Sequence, residues 1–168
     1  MDNTHLAVFL FQSTACTIAV VCLVRWYLLP ALDKLGCWKQ MELLFLPFLI
    51  RFVGTTTLVH GVVAPTYSPK CAQVASILDP LNMVIALSAI IAFRAHSRWA
   101  VPLTVLFLVE VTIFSGLLLW VDGPTGWLQG LQGHWYVATI VVPILVVFQV
   151  LVFLRLIKHH AELKATAR

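Results

Sequence analysis

The stretch that decides the fold runs from Ala100 to Val121, AVPLTVLFLVEVTIFSGLLLWV, in which Glu110 is the one ionisable group. A helix needs about 20 apolar residues to cross a hydrocarbon core of about 30 Å, and this stretch has them. Working outward, four more runs meet the same requirement: Leu6–Tyr27, Glu42–Ala64, Ala72–Arg94 and Trp135–Ile157. The expectation is an all-α, polytopic membrane bundle of five transmembrane helices. Residues 1–168 then form a single integral membrane domain, with no room for a separate soluble one.

Composition excludes the alternatives. Hydrophobic residues are 61% and charged residues 11% of the 168, against roughly 45–50% and 25% in soluble domains. Mean hydropathy is +0.95. A soluble fold, a disordered chain, a collagen-like rod and a disulfide scaffold all match poorly. No C-x-x-C spacing occurs among the four cysteines, so neither a zinc site nor a redox motif is encoded locally. Cys16 and Cys22 lie in the first run and behave there as small hydrophobes.

The first run lacks a basic leader, since its first positive charge is Arg25. It therefore reads as a retained helix rather than a signal peptide. Pro47, Pro102 and Pro143 interrupt the second, fourth and fifth runs, which membrane helices tolerate when neighbours satisfy the freed carbonyl. The longest connection, Asp122 to His134, holds Gly123, Gly126, Gly130 and Gly133 and is expected at the membrane surface.

Orientation follows from Lys and Arg. One side holds Arg25, Lys34, Lys39, Arg94, Arg98, Arg155, Lys158, Lys164 and Arg168, and the other only Lys70. Nine against one places the N-terminus outside and the C-terminus in the cytoplasm. Trp26, Trp38 and Trp99 then fall at cytoplasmic ends and Trp120, Trp127 and Trp135 at outer ends, as an interfacial belt requires. The net charge of +4 is accordingly a topology signal that can also contact anionic lipid, and nucleic acid is not an expected partner. Cys37 inside and Cys71 outside cannot pair within one chain.

Ionisable groups within the hydrocarbon are costly and are default functional candidates. At ~1.5 Å per residue, Arg51, Glu110 and Gln149 lie about 12–15 Å from the cytoplasmic ends of their runs, and Asn82, Asp79, Gln12 and His60 roughly 18–27 Å. Arg51 and Glu110 are expected to pair, with Gln149 bonded to them. That pair is either a structural bridge fixing helix register or a site for an anion, a substrate or an exchangeable proton. Asp79, Asn82, Ala86 and Ala89 recur with Ser76 at helical spacing, a small and polar packing stripe. Asp79 is the second candidate acid. His60, nine residues after Arg51, falls on the opposite face of an α-helix, together with Thr56 and Thr57.

An axial haem pair between His60 and His134 is geometrically conceivable. No His-x-x-x-His, Glu-x-x-His or His-x-x-Glu-His spacing occurs in any run, which removes di-iron and zinc-protease readings. No metal and no other cofactor is expected. Nucleophile-elbow, phosphate-loop and dinucleotide signatures are also missing.

The residues Arg51-Phe52-Val53-Gly54, Leu58-Val59, Gly61-Val62-Val63 and Pro65, with Trp135-Tyr136-Val137 and Val142-Pro143-Ile144-Leu145, resemble a group of small, uncharacterised bacterial inner-membrane proteins. The resemblance covers the second to fifth runs. It implies a multi-helix fold and a multi-pass place in a bacterial inner membrane, and no reaction.

Three function classes stand at this point. The first is a membrane protein whose buried polar site binds an apolar, lipid-like small molecule and isomerises or cyclises it by metal-independent acid/base chemistry. Glu110 and Asp79 are its catalytic candidates, and Arg51, Asn82, Gln149 and His60 its ligand-binding ones. The second is a small proton-coupled transporter or channel working as a homo-oligomer. The third is an accessory or assembly subunit of a larger membrane complex.

Overall fold

The computed structural model describes residues 3–65, 67–126 and 131–166. These residues are helical, without strands, and five helices are long and apolar enough to cross a membrane. Helix α1 spans Thr4–Leu32, α2 Cys37–Leu58, α3 Pro69–Arg94, α4 Ala100–Gly126 and α5 Gln132–Thr166. All five expected helices are present with shifted ends. Helix α2 starts five residues earlier than Glu42 and stops at Leu58, where the backbone turns extended at Val59. Helix α4 runs through Asp122 and Gly123 to Gly126, so the first part of the long glycine-rich connection is helix. Trp127, Gly130 and Arg168 lie outside the described residues.

The surface is apolar along the helix flanks. Phe11, Ile77, Leu58 and Trp120 are among the most exposed side chains, an arrangement incompatible with water and suited to lipid. Polar groups collect at the ends and in the interior. Helix α1 leans mainly on α5 and buries little, whereas α2, α3 and α4 form a tight core closed by α5.

Local chemistry bends these helices in recognisable ways. Wide π-turns at Val24–Leu28 and Val137–Val141 directly precede Pro30 and Pro143. A proline ring clashes with the carbonyl four residues back, and a wider turn relieves that clash. Helix α3 is capped by Ser68, whose Oγ accepts the Cys71 N–H, with Pro69 at the first position where its missing N–H costs nothing.

The second half of α2 departs most from expectation. From Leu46 to Leu58 it is a 3₁₀ helix of 13 residues, far longer than the three or four residues usual for that form. Pro47 removes a donor at its start. Thr55, Thr56 and Thr57 then give their hydroxyls to the carbonyls of Phe52, Val53 and Gly54, three residues back in each case. With three residues per turn, side chains three apart eclipse. Phe48, Arg51, Gly54 and Thr57, the buried members of this segment, therefore line one face, turned towards α3.

Below that face lies an aromatic plug. Phe45, Phe48, Phe93 and Phe107 are fully buried, with Phe48 and Phe107 centroids 4.6 Å apart and Phe45 and Phe107 5.2 Å apart. Ala86 and Ala89 of α3 are also fully buried; as expected of the small-residue stripe, they let helices approach closely where van der Waals contact supplies the cohesion. Ala75, rather than Ser76, continues the buried stripe, because Ser76 turns to bond the Gln73 carbonyl.

Candidate functional site

Above the plug, the eclipsed face of α2 meets α3. Arg51 donates from Nε and Nη2 to a single oxygen of Asp79, Oδ1, at 3.0 and 2.8 Å. The partner expected from sequence was Glu110; the observed one is Asp79. The physical reason is the 3₁₀ winding, which lengthens the rise to about 2.0 Å per residue and turns Arg51 onto the face shared with Gly54 and Thr57. Gly54 then makes the approach possible. A Cβ at that position would overlap the Asp79 carboxylate, so only glycine lets α2 and α3 come this close. The guanidinium also sits 5.2 Å from the centroid of the Phe114 ring, a cation–π contact within a desolvated layer.

Glu110 lies behind this pair, within Coulombic reach of Arg51 and Asp79 and beside the Asn82 amide. Both its carboxyl oxygens and Asn82 Oδ1 are buried and have no hydrogen-bond partner among the described residues. Asn82 itself is fully buried, with Nδ2 donated to the Leu78 carbonyl. Four of the sequence-selected residues, Arg51, Asp79, Asn82 and Glu110, thus form one cluster.

Two do not join it. Gln149 faces a groove between α4 and α5 with Thr112 and Ser115, because α5 turns it away from Arg51. His60 is exposed in the turn after α2, where it bridges to Val63 around Gly61 at φ +87°. The expectation that Thr57 and His60 share the face opposite Arg51 fails for Thr57, which three-residue winding places in line with Arg51. Of the two histidines considered for haem, His134 lines one cavity and His60 another. Among the described residues no cluster of three metal-ligating side chains occurs.

A cavity of about 100 Å³ opens beside the pair. Its polar groups are Arg51, Asp79, Thr57, Tyr67 and His134, and its remaining wall is apolar, including half-exposed Ile50 and Val142. The space holds several waters or a small polar group and is too small for a whole lipid. His134 is buried; its Nδ1 lies 3.2 Å from Thr56 Oγ1. Because that hydroxyl already donates to the Val53 carbonyl, the geometry makes Nδ1–H the donor to Thr56 Oγ1. Thr57 also lines a more polar vestibule with His60 and Gln132 at the α2–α3 turn.

Sequence reading also missed a clamp at the opposite end. Arg155 is buried, donates from Nη1 to Gln40 Oε1 at 2.9 Å and pairs through Nη2 with Asp33 at 2.7 Å. Its hydrogen bond, and then its charge, hold Asp33 below the usual carboxylate range. Arg155 therefore ties α5 to the α1–α2 turn in addition to any role in topology. Trp38 is likewise buried, donating to Thr166 Oγ1, and Trp135 donates to Gln12 Oε1; Trp26, Trp99 and Trp120 remain exposed.

Neither a curated protein nor a solved structure matches this chain. A family does: residues 8–157, covering all of the cluster and most of every helix, match DUF8737, described as a domain of unknown function, and the chain belongs to that family.

Proposed function

We propose that the protein crosses a bacterial inner membrane five times, N-terminus outside, and that its Arg51–Asp79 cavity binds the polar head of an apolar, lipid-like molecule for acid/base chemistry. The charge asymmetry of nine to one supports the orientation, and the resemblance supports the bacterial membrane. The observation that carries the site is one arginine bonded to the Asp79 carboxylate with a second carboxyl group, Glu110, within Coulombic reach and unbonded among the described residues.

One arginine, two carboxyls and one proton make a neutral cluster, and a buried net charge would be costly. Two arrangements are then equivalent in charge: Arg51 on Asp79 with the proton on Glu110, or Arg51 on Glu110 with the proton on Asp79. Asp79 lines the cavity and is the group that exchanges a proton with a bound molecule. Glu110 holds the spare proton behind it, and Asn82 Oδ1 can accept from that carboxylic acid. Arg51 has five N–H donors and Asp79 uses two, which leaves donors for a head group entering between Ile50 and Val142. The apolar remainder of the molecule stays in lipid.

A proton-coupled transporter is the second reading, favoured by the vestibule that meets the cavity at Thr57. The aromatic plug of Phe45, Phe48 and Phe107 blocks the route beyond Arg51 and ranks this reading lower. Purification in mild detergent, with native mass spectrometry of wild-type and Arg51→Met proteins, separates them. A lipid-like adduct lost in the variant supports the binding reading. Absence of any adduct overturns it, and copurification of a larger complex instead would favour an accessory subunit.

A further inference from the structure

The opposite end of the bundle holds a second, separate feature. Between the α3–α4 turn and the end of α5 lies a cleft of about 750 Å³, walled by Trp38, Val101, Val105, Val109 and Leu163 and rimmed by Ser97, Arg98, His160 and Lys164. No acidic residue lines it. Val105 and Val109 also line the apolar groove between α4 and α5, so the cleft continues along the helices away from its charged rim.

Among the described residues no acidic side chain pairs with the cations of the rim. Each described acidic residue at this end is engaged by another base: Asp33 by Arg155, Glu42 by Lys39 and Glu162 by His159. Arg98 lies against the Trp99 ring at 5.9 Å, and neither it nor Lys164 forms an ion pair among the described residues. A two-cation rim with a serine hydroxyl, set above a continuous apolar trough, matches an anion that carries a hydrocarbon chain. The distance from Arg98 to Val109 along α4, about 16 Å at 1.5 Å per residue, is close to one leaflet of a ~30 Å core.

We infer that this cleft is a binding site for one anionic phospholipid, its phosphate held by Arg98, Lys164 and Ser97 and an acyl chain lying along Val101, Val105 and Val109. Such basic pockets between helices select charged head groups. The site shares no residue with the Arg51 cavity and goes beyond the function proposed for it.

The test adds dioleoyl phosphatidylglycerol or dioleoyl phosphatidylcholine to the detergent-purified protein and reads bound lipid by native mass spectrometry and the Tm shift. Phosphatidylglycerol is expected to bind as a single resolved adduct and raise Tm, and phosphatidylcholine to do so weakly. Arg98→Gln with Lys164→Gln should weaken phosphatidylglycerol binding on the order of tenfold and leave the lipid-free Tm unchanged, since both residues are exposed. Val105→Trp, which fills the trough and keeps the charges, should weaken it as well. Ile50→Trp, which narrows the mouth of the Arg51 cavity at a half-exposed position, should leave it intact, which separates this site from the first. Equal binding of the two lipids, or binding unaffected by the double variant, would overturn the inference. So would inorganic phosphate alone competing as strongly as the lipid.

Discussion

Arg51 spends two of its N–H groups on one oxygen of Asp79, leaving the second carboxyl oxygen against Gly54 and the neighbouring Glu110 without a donor. A buried pair of this kind is worth little against apolar replacements of the same volume, but stranding one partner is expensive. Arg51→Met, which strands the Asp79 carboxylate, should lower stability by about 3 kcal/mol or more. Asp79→Asn should cost less, because Glu110 can take over Arg51, and the double variant should recover part of the Arg51→Met loss. Thermal unfolding of the four proteins in one detergent measures the coupling. Additive losses would mean that the two residues are not partners.

Glu110→Gln should be mild by comparison, with a change within about 1 kcal/mol, because a neutral amide replaces an unbonded carboxyl and can donate to Asn82 Oδ1. The same melting assay decides this. A loss as large as that of Arg51→Met would place an ionised Glu110 in the pair instead.

Gly54→Ala should destabilise the bundle by roughly 1–3 kcal/mol, the cost of forcing a methyl into a filled interior. Combined with Asp79→Ala, which vacates the overlapped volume, its additional cost should fall towards zero. Helix content by circular dichroism checks that the variants fold, and Tm gives the difference.

The Arg155–Asp33 clamp should be acid-sensitive. Asp33 is held below its ordinary 3.8, so its contribution is complete above that value and is lost as pH falls through the lower value of the folded protein. The Tm gap between wild type and Asp33→Asn should therefore be constant near neutral pH and close below pH 3.8. A gap that persists in acid would assign the clamp to packing rather than charge.

Depth along the runs put Arg51 and Glu110 in one layer and Asp79 and Asn82 in another. Five helices, their approximate ends and these four residues as single candidates were nonetheless legible in the sequence, because apolar run length and the cost of buried charge are both local properties. The pairing was not. It depends on the winding of Leu46–Leu58, and an α-helical period misplaces every side chain on that segment relative to α3. Pro47 together with three consecutive threonines signals tight winding, and the three-residue spacing of Phe48, Arg51, Gly54 and Thr57 signals its buried face. The Arg155–Gln40–Asp33 clamp was hidden for a different reason. A basic residue at the end of an apolar run reads as a topology charge, and only the position of α5 beside the α1–α2 turn shows that it is buried.

The central claim is that Asp79 exchanges a proton with a bound molecule while Glu110 takes over Arg51. Its most direct test is deuterium uptake in D₂O by the copurified lipid-like molecule, read by mass spectrometry in wild-type and Glu110→Gln proteins. A glutamine cannot accept the charge of Arg51, so the variant should still hold the molecule while carbon-bound deuterium uptake slows by roughly a hundredfold or more, as loss of an acid/base group does. Equal uptake in the two proteins, or a wild type that holds no such molecule, would contradict the account.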